Sequence, residues 1–201
     1  MKIKNKKDLE NIEYLHVMID LIDGFMKEGA LADPKMMRIV PEVQRLAEMF
    51  EDHPKGLNCY GEDWHPKNAE EFNVYAPHAI EYTKEAETID ELKQYKEGAI
   101  TYKKNSTNLV LAPNFMKDLA KMKNLKVVVA SGVLIDECVK KFVLTAKDLF
   151  DQNNRNVVII LPTNAVDTFN ATGHIRDEAF QNAVQDMENH GIKIIKRLGG
   201  I

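Results

Sequence analysis

The stretch Leu125-Lys-Val-Val-Val-Ala130, followed after Ser131 by Gly132-Val-Leu-Ile-Asp-Glu-Cys138-Val, decides the fold class. A short apolar run rich in valine reads as a strand buried on both faces, the habit of a parallel sheet. Gly132 permits a tight turn after it, and the amphipathic run from Cys138 to Phe150 reads as the next helix. Outward from here the pattern repeats. Leu15-His-Val-Met-Ile19, Ala99-Ile-Thr-Tyr-Lys103, Asn156-Val-Val-Ile-Ile-Leu161 and Ile192-Lys-Ile-Ile195 read as further strands, with Leu57-Asn-Cys-Tyr60 as a weaker one. Helical spacing runs from Pro34 through Phe50, over Ile89 to Tyr95, from Pro113 to Met122, and over Asp177 to Asn189, where His190-Gly191 supplies a stop. This alternation predicts an α/β fold: one Rossmann-like domain over 1–201, with a mostly parallel sheet of about six strands, helices on both faces, and 1–12 as a tail.

The bulk numbers narrow the function classes. At 201 residues the chain is long enough for one substantial core. A net charge of −4 gives no electrostatic reason to expect nucleic acid or an anionic membrane as partner. No apolar run approaches the roughly 18 residues that span a bilayer. The start Met1-Lys-Ile-Lys-Asn-Lys-Lys7 lacks the apolar core of a secretory leader, and Cys59 and Cys138 are the only cysteines. A cytoplasmic protein with free thiols is expected. Glycine-rich phosphate loops in a strand-to-helix context are missing, which disfavours nucleotide-dependent oxidoreductases and P-loop enzymes. The expected partner is a small molecule, with a homo-oligomer possible.

Four groups of residues carry chemistry. Cys138 stands at the first turn of its helix, where the dipole and unpaired N–H groups favour the thiolate nucleophile; the plain alternative is a small buried residue. Asp20 directly follows the apolar Val17-Met-Ile19, so it is either a turn cap or a carboxylate at the strand's C-terminal lip. Lys103 and Lys104 end another strand, where a lysine can equally snorkel to solvent. Asp63-Trp-His65-Pro, Glu71 and Tyr75-Ala-Pro-His78 lie in a long proline-containing loop, Asp63 to Tyr82. Asp, Glu and His suit a divalent zinc, iron or manganese ion, although loop histidines are more often solvated. His16, inside an apolar strand, reads as a satisfied core histidine, and Cys59 as a structural thiol. His53, His174 and His190 lie in polar surroundings at no ligand spacing.

Each motif alone is weak, but their joint order over residues 15 to about 195 resembles the isochorismatase-like cysteine hydrolases, in the branch of nicotinamidases and pyrazinamidases. The resemblance implies Cys138 as nucleophile and Asp20 as general base, with Phe25 five residues on. It implies Lys104 as the third member by its spacing to Asn108, with Lys103 as fallback. Backbone amides of Leu134 and Cys138 would form the oxyanion hole, with a cis peptide at Val133–Leu134. Asp63, His65 and His78 would hold one divalent metal, with Glu71 at a more variable fourth position. Phe25 and Tyr75 would wall a flat ring, and Trp64 would line the mouth. The chain departs from many relatives at Ile22 and Gly24, where they carry Gln and Asp, and at Leu109 and Val110, where an aromatic is common. The implied activity is hydrolysis of a small amide through a thioester, nicotinamide to nicotinate and ammonia foremost, within NAD metabolism. The alternatives are a ureido or carbamoyl amidase, an isochorismatase, or a non-catalytic ligand-binding member.

Overall fold

Period-two alternation along three neighbouring strands divides the molecule into two apolar layers. Val17, Ile19, Val128, Ala130, Ile159 and Leu161 enter one core, while Met18, Val129 and Ile160 enter the other. The computed structural model describes residues 6–201, with side chains from Leu9 onward. Its strands are β1 (Tyr14–Ile19), β2 (Gly56–Asp63), β3 (Ile100–Lys104), β4 (Val127–Val133), β5 (Val158–Pro162), β6 (Val166–Asp167) and β7 (Lys193–Ile195). They form one sheet in the order β3-β2-β1-β4-β5-β7, with β6 paired to the end of β4. All the pairings are parallel. The helices are α1 (Asp23–Met26), α2 (Val40–Asp52), α3 (Asp90–Lys93), α4 (Phe115–Lys121), α5 (Lys140–Gln152) and α6 (Arg176–Asn189). Apolar residues of α4, α5 and α6 cover the first layer, and those of α2 cover the second. The α/β class with a parallel sheet is as expected.

Several boundaries differ from the sequence reading. β2 runs to Asp63 rather than stopping at Tyr60, and all eight of its residues are buried. Polar Asn58, Glu62 and Asp63 hid that strand from hydropathy, yet each side chain has a partner inside the protein. β4 continues to Val133, so Gly132 lies within the strand and not in a turn after it. There its φ is +114°, and a Cβ would stand 2.0 Å from the carbonyl oxygen of Ile19. Of the stretch read as a tail, residues 1–5 lie outside the described residues. Lys6–Asn11 forms a 3-10 helix, and Leu9 and Ile12 are buried. Among the described residues no helix is long and apolar enough to cross a membrane.

His16 is buried between the three central strands as a satisfied core histidine. Its Nδ1 lies 3.0 Å from Asn58 Oδ1 and its Nε2 lies 2.8 Å from Ser131 Oγ. Asn58 in turn donates to the carbonyl of Ala47 in α2 at 2.8 Å. Burial without a charged partner lowers the imidazole pKa to about 4.

Candidate active site

Adjacent parallel strands end at one edge of a sheet, and the groups just beyond those ends converge. Asp20 follows β1, Asp63 ends β2, Lys104 ends β3, and Cys138 follows β4 in the turn leading to α5. All four are buried. Lys104 Nζ lies 2.8 Å from Asp20 Oδ2, bonds Asp63 Oδ1, and stands 3.8 Å from Cys138 Sγ. Asp20 Oδ1 accepts from the Asp63 amide at 2.9 Å, and a carboxylate oxygen of Asp20 lies within 4.8 Å of Cys138 Sγ. Asp20 has a φ of +52°, a left-handed backbone that Asp tolerates better than most residues. Lys103, the fallback lysine, points to the opposite face of β3. It pairs with Glu62 at 2.8 Å and lies 4.0 Å over the Trp64 ring.

Electrostatics sets the resting protonation of this cluster. Burial and the neighbouring Asp63 carboxylate raise the Asp20 pKa to about 7, against the pull of Lys104. Burial alone would raise Asp63 too, but the Lys104 ammonium holds it below the usual carboxylate range. Burial opposes the charge on Lys104, yet Asp20 and Asp63 keep its pKa well above the ordinary lysine value. The expectation that the helix turn and Lys104 would favour a resting thiolate does not hold. Burial pushes the Cys138 thiol well above its ordinary pKa against the pull of Lys104, and Asp20 and Asp63 add to the rise. The resting pair is a thiol beside a carboxylate poised near neutrality, which suits proton transfer during attack.

The turn that carries Cys138 starts earlier than the sequence suggested. Ile135–Val139 is one π-helical turn leading into α5, so the cysteine is its fourth residue. The Val133–Leu134 peptide is cis. His174, read as lying at no ligand spacing, hydrogen-bonds Asp136 of this turn at 2.7 Å and stacks on Phe169 with ring centroids 4.0 Å apart.

Beside the cysteine cluster, Asp63, His65, Glu71 and His78 each offer a ligand atom, all within 4.8 Å of one another. His65 Nε2 lies 3.4 Å from Asp63 Oδ1, and His78 Nε2 lies 3.6 Å from Asp63 Oδ2 and 3.9 Å from Glu71 Oε1. His65 Nδ1 is engaged by Asn105 Oδ1 at 2.8 Å, and His78 Nδ1 by the Ala76 carbonyl at 2.8 Å. Both rings therefore donate through Nδ1 and turn the lone pair of Nε2 toward the cluster, the arrangement that outer partners impose on metal ligands. His65 Nε2 and Asp63 Oδ2 are buried without a hydrogen bond of normal geometry. Two N, two O and orphaned lone pairs suit a divalent cation.

Residues 14–196 match the family model described as the isochorismatase domain. The chain belongs to the isochorismatase family. Nicotinamidase 1 of Arabidopsis thaliana is 30% identical over 144 residues, which are 65% of this chain and 58% of that protein, little more than half of the relative. A pyrazinamidase of Pyrococcus horikoshii in complex with zinc superposes with a TM-score of 0.75 at 24% identity, over 92% of this chain and 99% of that one. N-carbamoylsarcosine amidase from Thermoplasma acidophilum gives 0.74 at 22% identity, over 94% and 99%. These structural likenesses establish the isochorismatase fold, and the side chains must say the rest.

In this isochorismatase-family chain, Cys138 and the metal-type cluster open on one pocket with about 270 Å³ of space, part of it solvent. Phe25, Tyr75, Leu134, Asp63, Glu71 and His78 line it. Trp64 does not. It packs edge-on against Tyr82 and under Lys103, because residue alternation after β2 sends it to the other side from Asp63 and His65. Leu31, Thr107 and Glu137 also line the pocket and were not anticipated. Thr107 sits three residues past the catalytic-type Lys104, and Glu137 immediately precedes Cys138, so adjacency to those motifs was the available signal.

Proposed function

We propose that this protein is a cysteine-dependent amidohydrolase that converts a small heteroaromatic amide, foremost nicotinamide, into its acid and ammonia. The observation that carries the reading is the joint opening of the Asp20–Lys104–Cys138 cluster and the Asp63–His65–Glu71–His78 set on one pocket. The similarity to a nicotinamidase and to a zinc-bound pyrazinamidase supports the same substrate class.

Asp63, His65, Glu71 and His78 would hold one divalent cation, which when bound supplies a Lewis-acid anchor for a ring nitrogen. Phe25 and Tyr75 flank the ring and exclude water. As Cys138 Sγ bonds the carboxamide carbon, its proton passes to Asp20. The oxyanion then faces the backbone amides of Leu134 and Cys138, an arrangement worth ~3 kcal/mol per donor. Asp20 gives the proton to the departing nitrogen, the C–N bond breaks, and ammonia leaves a thioester. Water attacks the thioester carbon and Asp20 takes its proton. The acid departs, and the proton returns from Asp20 to the thiol. Lys104 stays charged throughout and offsets the negative charge that moves between Asp20 and sulfur.

The test is ammonia release from nicotinamide by metal-loaded protein, with Cys138→Ala beside it. Turnover abolished in the variant supports the reading. No turnover in either protein, with metal bound stoichiometrically, sinks nicotinamide as substrate.

A further inference from the structure

Apart from the nucleophile and the metal-type set, the pocket carries one charged lining residue, Glu137. Its Oε2 lies 2.6 Å from Lys141 Nζ, one helical turn away. Lys141 Nζ also donates to Thr107 Oγ1 at 3.0 Å. Glu137 and Thr107 line the pocket whereas Lys141 does not, so the ion pair presents its negative end inward and its positive end outward. Tyr75, on the same pocket, has its phenol pKa raised by burial and then by the Glu137 charge, against the pull of Lys141. We propose that Glu137 is a specificity residue that turns the pocket toward neutral amides and against carboxylates, the acid product of the reaction included. Its meaning for catalysis rests on the proposed amide hydrolysis; the charge selection itself does not. Amide and acid are nearly isosteric, so shape cannot separate them, and a carboxylate aimed at the bound group can. Lys141 tempers the field and holds the side chain in place.

The experiment uses two alkylating agents of similar size and one leaving group, neutral iodoacetamide and anionic iodoacetate. Their rates at Cys138 are followed by peptide mass spectrometry in zinc-loaded protein, with Cys59 resolved separately. The ratio of the iodoacetate to the iodoacetamide rate cancels changes in thiol reactivity common to both. Glu137→Gln, which keeps shape and removes charge, should raise the ratio about tenfold, as expected for one partly screened charge near the sulfur. Lys141→Met should lower it. A ratio within twofold of wild type in Glu137→Gln, or a fall, overturns the inference. Turnover of nicotinamide is read separately: no turnover with a shifted ratio sinks the proposed reaction and leaves the charge selection standing. An unchanged ratio in an active enzyme sinks the charge selection alone.

Discussion

At the scale of single residues, this site depends on partners that bear no mark in the sequence. Asn105 is such a residue, an unremarkable amide after β3 whose Oδ1 fixes the ring of His65 at 2.8 Å. Without it, His65 can rotate or change tautomer, and outer partners of this kind are commonly worth 10–100-fold, about one to two decades, in metal affinity. Asn105→Ala is expected to weaken zinc binding by about tenfold or more in competition with a chromophoric chelator. Affinity unchanged from wild type would show that packing alone orients the ring. Lys104 teaches the complementary lesson. Its neighbour Lys103 has the same chemistry, but β-strand alternation sends Lys103 to a half-exposed pairing with Glu62 and Lys104 into the cluster. Motif spacing favoured Lys104, and alternation on β3 gives the physical reason.

Among the elements, β4 and the turn after it matter most. Gly132 reads as a turn glycine, yet it stands inside the strand, where β1 approaches so closely that a methyl group would meet the Ile19 carbonyl at 2.0 Å. Positive φ adds a second penalty for any side chain. Gly132→Ala is therefore expected to lower stability by several kcal/mol, of order 3 or more as for backbone strain and overpacking together, with Cys138 losing its place beside Asp20. Urea denaturation and the alkylation rate of Cys138 would register it; near-wild-type values in both would show that β1 and β4 separate easily. Elements with a strong apolar period, β1, β4, β5, α5 and α6, were readable to within a few residues. β2 was not, because its Asn, Glu and Asp side chains carry partners from β3 and α2, so its hydropathy misrepresents its burial.

Across the whole molecule, one polar group ties the sheet together. His16 links β1 to Asn58 on β2 and Ser131 on β4, and Asn58 reaches α2. Its pKa is about 4 in the folded protein and near 6.5 when the chain unfolds. Below the unfolded value the denatured chain binds the extra proton, so stability is complete above pH 6.5 and falls as pH drops toward 4, by up to ~3 kcal/mol. Urea midpoints measured from pH 7 to 4 should show this slope in the wild type and a flatter one in His16→Gln. Equal slopes would move the acid sensitivity to other groups.

The sequence by itself determined the α/β class, the chain order of Asp20, Asp63, His65, Glu71, His78, Lys104 and Cys138, and the buried character of the central strands. Periodicity and local chemistry are enough for those, because they depend on neighbours in the chain. Only the tertiary structure decided that Trp64 turns away from the pocket, that Glu137 and Thr107 turn into it, and that the Cys138 thiol rests protonated. Those outcomes depend on which carboxylates and cations parallel pairing brings together at one sheet edge. Burial there raises the cost of every charge, so the balance among Asp20, Asp63, Lys104 and Cys138 exists only once all four strand ends have met.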